Sequence, residues 1–275
     1  MSAHLRTLGP VMLVGAGKMG MALARGWLDA GLPASNLVLV DPAPSDAAKA
    51  LAADYELTIH AAAVGLDPNV LVLAVKPQII GDVMEGLKQA VGPQTLVLSI
   101  AAGISIATLS AGLDTGRVVR TMPNTPAQIG KGVTGAVAGP EVGTDDRAAT
   151  DALLSAAGQV AWFDAESDLD AVTAVSGSGP AYVFHLIETM AKAGEEQGLS
   201  PELALQLASA TVAGAGALAD GSDEHPGKLR ENVTSPNGTT QAALDVLMNE
   251  TDGFPVLLSR ALKAAADRSR ELANG

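Results

Sequence analysis

A chain of 275 residues with 48% hydrophobic side chains can bury one large or two modest cores, and aromatics at 3% leave Ala, Val, Leu and Gly to build them. A net charge of −13 without any run of Lys or Arg excludes binding along a nucleic-acid backbone, which needs a clustered basic face. The lack of cysteine excludes disulfides and thiolate chemistry and fits a reducing cytoplasm, and four dispersed His without an HxxxH spacing give no expectation of a metal site.

The uncharged run Thr95–Leu113 is long enough to span a membrane, but Ser99, Gly103, Ser105, Thr108, Ser110 and Gly112 divide it into a buried strand, a turn and a short helix. The N-terminal residues do not follow the basic, apolar, small-residue order of an export signal. A soluble cytoplasmic protein with no membrane partner is expected.

Pro10–Val14 is a short apolar run that ends in Gly15-Ala16-Gly17-Lys18-Met19-Gly20, after which Met21, Leu23, Ala24, Trp27 and Leu28 recur at helical spacing up to Gly31. This reads as strand, glycine turn and helix. The first glycine permits the tight turn, the second lets a pyrophosphate reach the backbone, and the third lets the helix lie close to the strand. Phosphate then meets the free amides at the positive end of the helix. A second apolar run, Leu37–Val40, ends in Asp41, where a dinucleotide fold places the acceptor for the adenosine ribose hydroxyls. A carboxylate repels a 2′-phosphate, and Pro42-Ala43-Pro44-Ser45-Asp46 offers no Arg or Lys to clamp one, so the cofactor is read as NAD(P)H, leaning to NADH. The other reading of Asp41 is a turn residue before Pro42.

Val70–Val75 reads as a buried strand, followed by Lys76-Pro77 and a helix through Val83, Met84, Leu87 and Val91; Leu96–Ile100 is a further strand ending in Ala101-Ala102-Gly103. Strands buried on both faces belong to a doubly wound parallel sheet, whose ligands lie beyond the carboxyl ends of its strands. Ala74, Val75, Lys76, Pro77, Ala101, Ala102 and Gly103 are therefore expected to border the cofactor. Lys76 is either a donor to the dinucleotide or a solvated lysine at a strand end. Arg117–Arg120 leads into Thr121-Met122-Pro123-Asn124-Thr125-Pro126, read as a loop whose Asn124 bonds the nicotinamide amide. Val133–Ala138 and Gln159–Phe163 read as strands flanking a helix at Asp145–Ala157, and a dinucleotide-binding domain is expected over residues 1–164.

From Ser167 an Ala/Leu-rich helical pattern takes over. Two loops interrupt it, Ser176-Gly177-Ser178-Gly179-Pro180-Ala181 and Thr234-Ser235-Pro236-Asn237-Gly238-Thr239-Thr240. Their hydroxyls and bare amides suit a small anion, or else they simply start helices. Val183, Leu186, Ile187 and Met190 mark one helix ending at Gly198. Ser200-Pro201-Glu202 opens another through Leu203, Leu207, Thr211, Val212 and Leu218, whose lack of a polar face points to burial, for which a second subunit is one candidate. A last helix is read from Pro255 to Asn274. His185 reads as a packed core residue, and His225 as part of a helix start before Pro226.

Over nearly its whole length the chain resembles the pyrroline-5-carboxylate reductases, the last enzymes of proline synthesis. The resemblance is carried by the glycine turn, Ala74-Val75-Lys76-Pro77, Ala101-Ala102-Gly103, Met122–Pro126, Ser176–Tyr182, His225-Pro226-Gly227 and Asn232–Thr240, in that order and spacing. It implies an α/β fold with an N-terminal Rossmann domain (a doubly wound parallel sheet) and an all-α dimerisation domain over 165–275. It also implies a homodimer or higher homo-oligomer such as a ring of dimers, with active sites where the cofactor domain of one subunit meets the helical domain of its partner. The small-molecule substrate is 1-pyrroline-5-carboxylate, whose C=N accepts hydride to give L-proline. Asn232–Thr240, with Gly238 and Thr239, is implied to cradle the substrate carboxylate, and Thr240 to lie against the ring nitrogen. Glu166 falls at the acid near bound proline, Asn232 at the nicotinamide end, and Ser178 among the substrate contacts. Three positions depart from the pattern: Asp41 where many relatives have Ser, Ala61 where Asn is common, and Asn237 where Gly is usual. The first two weigh against NADPH without touching the reaction.

Thr240 and Asn232 are the catalytic candidates. Protonation of the imine nitrogen makes the adjacent carbon a better hydride acceptor, so Thr240 needs only to relay a proton. These loops carry no compelling His or Lys acid, which suits an imine better than a ketone, whose reduction must protonate an alkoxide. A 3-hydroxyacid dehydrogenase shares the two-domain plan but needs a lysine on the first long helix of the second domain, where Lys192 is the only candidate. A nucleotide-sensing protein without turnover is the alternative outside catalysis.

Overall fold

The computed structural model describes residues 3–274. Its contacts form two compact units, one running through Gly177 and including the residues from Ala266 onward, the other Ser178–Ala265. The first unit is built on β1 (Val11–Val14), β2 (Leu37–Val40), β3 (Ile59–His60), β4 (Val70–Leu73), β5 (Leu96–Ser99), β6 (Val118–Met122), β7 (Gly132–Ala138) and β8 (Gly158–Phe163). They form one sheet in the order β3-β2-β1-β4-β5-β6-β7-β8, parallel throughout except for the antiparallel β6–β7 pair. Its helices are α1 (Ala3–Thr7), α2 (Lys18–Asp29), α3 (Asp46–Asp54), α4 (Ile80–Leu87), α5 (Ile106–Leu113), α6 (Thr144–Ser155) and α7 (Asp168–Val172).

The two-residue period of a strand explains the layering. Val11 and Leu13 of β1 enter a core with Leu23 and Trp27 of α2 and Leu153 of α6, while Met12 and Val14 enter the opposite core with Met84 of α4 and Leu109 of α5. The Trp27 indole N–H, fully enclosed, donates to the Leu153 carbonyl at 2.8 Å. Because both faces are covered, β1 and β4 read as unbroken apolar runs and β5 departs from one only at the buried Ser99.

Three boundaries differ from expectation. Thr121 and Met122 belong to β6 rather than to a loop, and the buried Thr121 hydroxyl donates to the Ser99 carbonyl of β5 at 2.9 Å. The β4 strand stops at Leu73, leaving Ala74 and Val75 beyond it. The compact unit continues past Asp164, because Leu169 and Val172 of α7 press on Gly135 of β7, where an added Cβ would stand 2.8 Å from Val172 Cγ1. After α7 the chain makes a wider π-helical turn over Thr173–Gly177, with the Thr173 and Ser176 hydroxyls donating to the carbonyls of Leu169 and Val172.

The second unit holds α8 (Gly179–Glu196), α9 (Pro201–Asp220), α10 (Pro226–Asn232), α11 (Thr239–Leu247) and most of α12 (Phe254–Asn274). The end of α12 returns to the first unit, where the Ser269 hydroxyl donates to Asp170 Oδ1 at 2.6 Å. Ser200 caps α9 by accepting from the Leu203 amide at 3.3 Å, as its Ser-Pro-Glu start implies. Small residues bring α8 and α9 together: Ala191, Ala204 and Ala208 are the buried core, and Gly194 faces the Ala204 Cβ. The remaining apolar surface is open in the single chain, with Leu203, Leu205, Leu207 and Leu218 all exposed. By length and composition α9 would suffice to cross a membrane. His185 is not packed as expected: it is exposed and pairs with Glu188 Oε2 at 3.2 Å one turn along α8.

Candidate active site

In the first unit the glycine turn joins β1 to α2. Gly15 adopts φ +97°, and a Cβ there would stand 2.6 Å from the Ala74 carbonyl oxygen; at Gly20 it would stand 2.3 Å from the Gly15 oxygen. Both positions are glycine because the protein leaves no room. Gly17 differs, since an added Cβ meets nothing within 4 Å. It is the N-cap of α2, extended and without a side-chain cap, so the first-turn amides around Lys18, Met19 and Gly20 have no side chain capping them, a setting that favours an anion.

Asp41, just past β2, is half-buried and accepts from two amides, Ala16 at Oδ2 and Ala43 at Oδ1, each at 2.8 Å. The turn-residue role is therefore real, and it also ties the acid to the glycine turn. Each carboxylate oxygen keeps a lone pair for a ribose hydroxyl. Ala74, Val75, Lys76 and Pro77 follow β4, with the Ala74 amide donating to the Val14 carbonyl at 2.8 Å and Lys76 exposed at the start of a 3-10 turn. Ala101, Ala102 and Gly103 follow β5, with Ala101 buried and Gly103 at φ +75°. The sheet order β2-β1-β4-β5 thus places these four segments side by side at one end of the strands.

Two of the expected site residues also make bonds within the protein. Asn124 is 8% exposed, its Nδ2 donating to the Ser176 carbonyl at 3.2 Å and its Oδ1 accepting from the Val133 amide at 2.9 Å. Its amide braces the loop against β7 and the π turn, and one Nδ2 hydrogen and one Oδ1 lone pair remain beyond these two bonds. Glu166 Oε1 accepts from Arg120 Nη1 at 2.7 Å and from the Ile106 amide at 2.8 Å. Arg120 is buried on β6 and needs a counter-charge, which Glu166 Oε1 supplies while also holding the start of α5; the Glu166 side chain remains 32% exposed. An arginine within the apolar run of β6 was the available sequence signal for this pair.

In the second unit the loop from α10 to α11 is built from its turn residues. His225 caps α10, its Nδ1 accepting from the Gly227 amide at 3.1 Å, and Asn232 is the last residue of that helix. The Thr234 hydroxyl donates to the Arg230 carbonyl at 2.6 Å. Asn237 stands at φ +59°, a left-handed conformation that asparagine tolerates better than other non-glycine residues, which explains its occurrence at a glycine position. Gly238 is the N-cap of α11 and carries no side chain to cap it; a Cβ there would stand 2.4 Å from Ser235 Oγ. The first amides of α11, at Thr239 and Thr240, are consequently uncapped, a setting that suits a carboxylate. Ser178 begins α8 without a side-chain cap bond. Among the described residues no group of His, Asp and Glu is arranged to hold a metal.

A glycine turn at an uncapped helix start, flanked by loops at the ends of parallel strands, defines a Rossmann-type oxidoreductase that uses a nicotinamide cofactor. Residues 10–103 match the family described as NADP oxidoreductase coenzyme F420-dependent, and residues 166–272 match pyrroline-5-carboxylate reductase dimerisation. The chain is 44% identical over 267 residues to the pyrroline-5-carboxylate reductase of Pseudomonas aeruginosa, covering 96% of each chain. It is 39% identical over 260 residues to that of Pisum sativum, with 94% of each covered. Among solved structures, the pyrroline-5-carboxylate reductase of Coxiella burnetii superimposes with a TM-score of 0.90 at 31% identity, over 97% of this chain and 99% of that one. The Plasmodium falciparum pyrroline carboxylate reductase with NADP bound gives 0.82 at 29% identity, over 98% and 99%. The chain belongs to the pyrroline-5-carboxylate reductase family.

Proposed function

We propose that this chain reduces the C=N bond of 1-pyrroline-5-carboxylate to L-proline, the last step of proline synthesis, and that it favours NADH over NADPH. The carrying observation is the conjunction, in a chain 44% identical to a pyrroline-5-carboxylate reductase over its length, of two uncapped helix starts, at Gly17 and at Gly238. The first suits a pyrophosphate and the second a small carboxylate. Bound NAD(P)H supplies the hydride.

The chain's own residues do the rest. Gly15, Ala16, Gly17, Lys18, Met19 and Gly20 receive the pyrophosphate, Asp41 the adenosine ribose, and Ala74–Pro77 with Ala101–Gly103 the flanks of the cofactor. Amides at Gly238, Thr239 and Thr240 hold the substrate carboxylate, with Ser178 among its contacts. The Thr240 hydroxyl lies against the ring nitrogen and relays a proton, while Asn232 orients the nicotinamide end. Positioning carries most of the catalysis, because a protonated imine becomes a neutral amine on reduction and leaves no alkoxide to neutralise.

NADH preference is supported by Asp41, whose carboxylate repels a 2′-phosphate, and by the absence of Arg or Lys from the five residues that follow. Lys192 is exposed on α8 and pairs with Glu195 at 3.5 Å, which does not support the 3-hydroxyacid dehydrogenase reading. The chain forms a homo-oligomer through its dimerisation region; assembly into a ring of dimers, a cytoplasmic location, and the lack of nucleic-acid or membrane partners complete the proposal. Incubating the purified protein with pyrroline-5-carboxylate and either cofactor, and following nicotinamide absorbance, tests it. Faster oxidation of NADH with proline formed is the expected result, whereas binding without turnover would support a sensor. The Asp41→Ser variant is expected to raise the NADPH-to-NADH ratio of kcat/KM about tenfold; an unchanged ratio removes Asp41 from cofactor choice.

A further inference from the structure

Glu224 immediately precedes the cap of α10 and Asn232 ends that helix, and the fold brings Glu224 Oε2 to 3.0 Å from Asn232 Nδ2. A carboxylate only accepts hydrogen bonds, so it meets the NH2 of the asparagine amide and never its oxygen. In this bond, between two side chains exposed in the single chain, the carboxamide is turned with its NH2 toward the carboxylate. Nδ2 is held toward Glu224, and Oδ1 is presented on the other side as an acceptor. Other polar side chains of the segment have partners of their own: Lys228 pairs with Glu231 at 3.5 Å, and His225 Nδ1 accepts from the Gly227 amide.

We propose that Glu224 is a positioning residue that holds Asn232 with its carbonyl oxygen toward an N–H donor, the carboxamide NH2 of the nicotinamide. This rests on the reading of Asn232 as the group at the nicotinamide end. The charge-assisted bond is stronger than one between neutral groups and resists the amide flip that would present a donor instead. Without it the two orientations of Asn232 compete, and only one matches the ligand. Binding of the distant pyrophosphate is untouched, so the defect falls on turnover.

Steady-state kinetics and cofactor dissociation constants of the full-length Glu224→Ala, Glu224→Gln and Asn232→Ala proteins and the Glu224→Ala/Asn232→Ala double variant test the assignment, with thermal unfolding as the fold control. Glu224→Ala is expected to lower kcat about tenfold with cofactor affinity within about twofold of the parent. Glu224→Gln, whose carbonyl accepts the same N–H, is expected to recover most of that loss, and the double variant to be no worse than Asn232→Ala. An impaired Asn232→Ala beside an unimpaired Glu224→Ala overturns the role of Glu224 alone. Glu224→Gln as poor as Glu224→Ala, or losses that multiply in the double variant, likewise overturns it. Full activity of Asn232→Ala overturns the placement of Asn232 itself, and this proposal with it.

Discussion

Thr240 is the second residue of a nine-residue helix whose cap, Gly238, has no side chain, so its amide has no side-chain cap. Replacing Thr240 by Ala is expected to lower kcat about 100-fold while leaving the cofactor dissociation constant near its parental value, with Ser restoring most of the rate. An equal loss of cofactor affinity would contradict the relay. Asp41 shows why a single acid can carry two duties. Its two oxygens accept from Ala16 and Ala43, organising the glycine turn, and still have capacity for ribose hydroxyls. Asn124 and Glu166 likewise carry internal bonds, because buried main-chain groups and a buried guanidinium are expensive to leave unpartnered.

The glycines of the strand–turn–helix formed by β1 and α2 divide by what surrounds them. A Cβ at Gly20 collides with the Gly15 carbonyl oxygen, whereas one at Gly17 enters open space. Gly20→Ala is expected to lower the melting temperature by several degrees, since the contact is with backbone that cannot rotate away, on the order of 2 kcal/mol. Gly17→Ala is expected to melt within about two degrees of the parent and to weaken cofactor binding at least about tenfold, because the methyl stands where the pyrophosphate approaches. Calorimetry and cofactor titration of the two variants read the difference; equal melting temperatures would refute it. The α10–α11 connection follows the same logic, with Asn237 supplying the left-handed turn and Gly238 leaving the helix start bare.

At the level of the molecule, the helical unit buries little by itself: Ala191, Ala204 and Ala208 form its small core while leucines along α9 stay exposed. An apolar surface of that kind, in a region matching the pyrroline-5-carboxylate reductase dimerisation family, is what a homo-oligomer interface requires. Leu207→Asp is expected to shift the sedimenting species toward monomer and to lower activity with it, while the first unit still binds cofactor; an oligomer unchanged at micromolar concentration would place the interface elsewhere. Much of this was readable from the chain alone. The buried runs of β1, β2, β4 and β5, the spacing of Gly15, Gly17 and Gly20, the Ser-Pro-Glu start of α9 and the glycine before Thr239 are local patterns, and local sterics and hydrogen bonding dictate their conformation. The two-residue β3 was too short to show a period, and the continuation of β6 through Met122 depended on pairing with β7, distant in sequence. The bond of Asp41 to the Ala43 amide is a local turn and was readable, whereas one further partner each of Asn124, Glu166 and Asp41 lies 52, 46 and 25 residues away along the chain. No nearby pattern encodes these distant bonds, because each is chosen by whichever group the folded backbone brings within hydrogen-bond reach, and that choice exists only once the sheet and its crossovers are assembled.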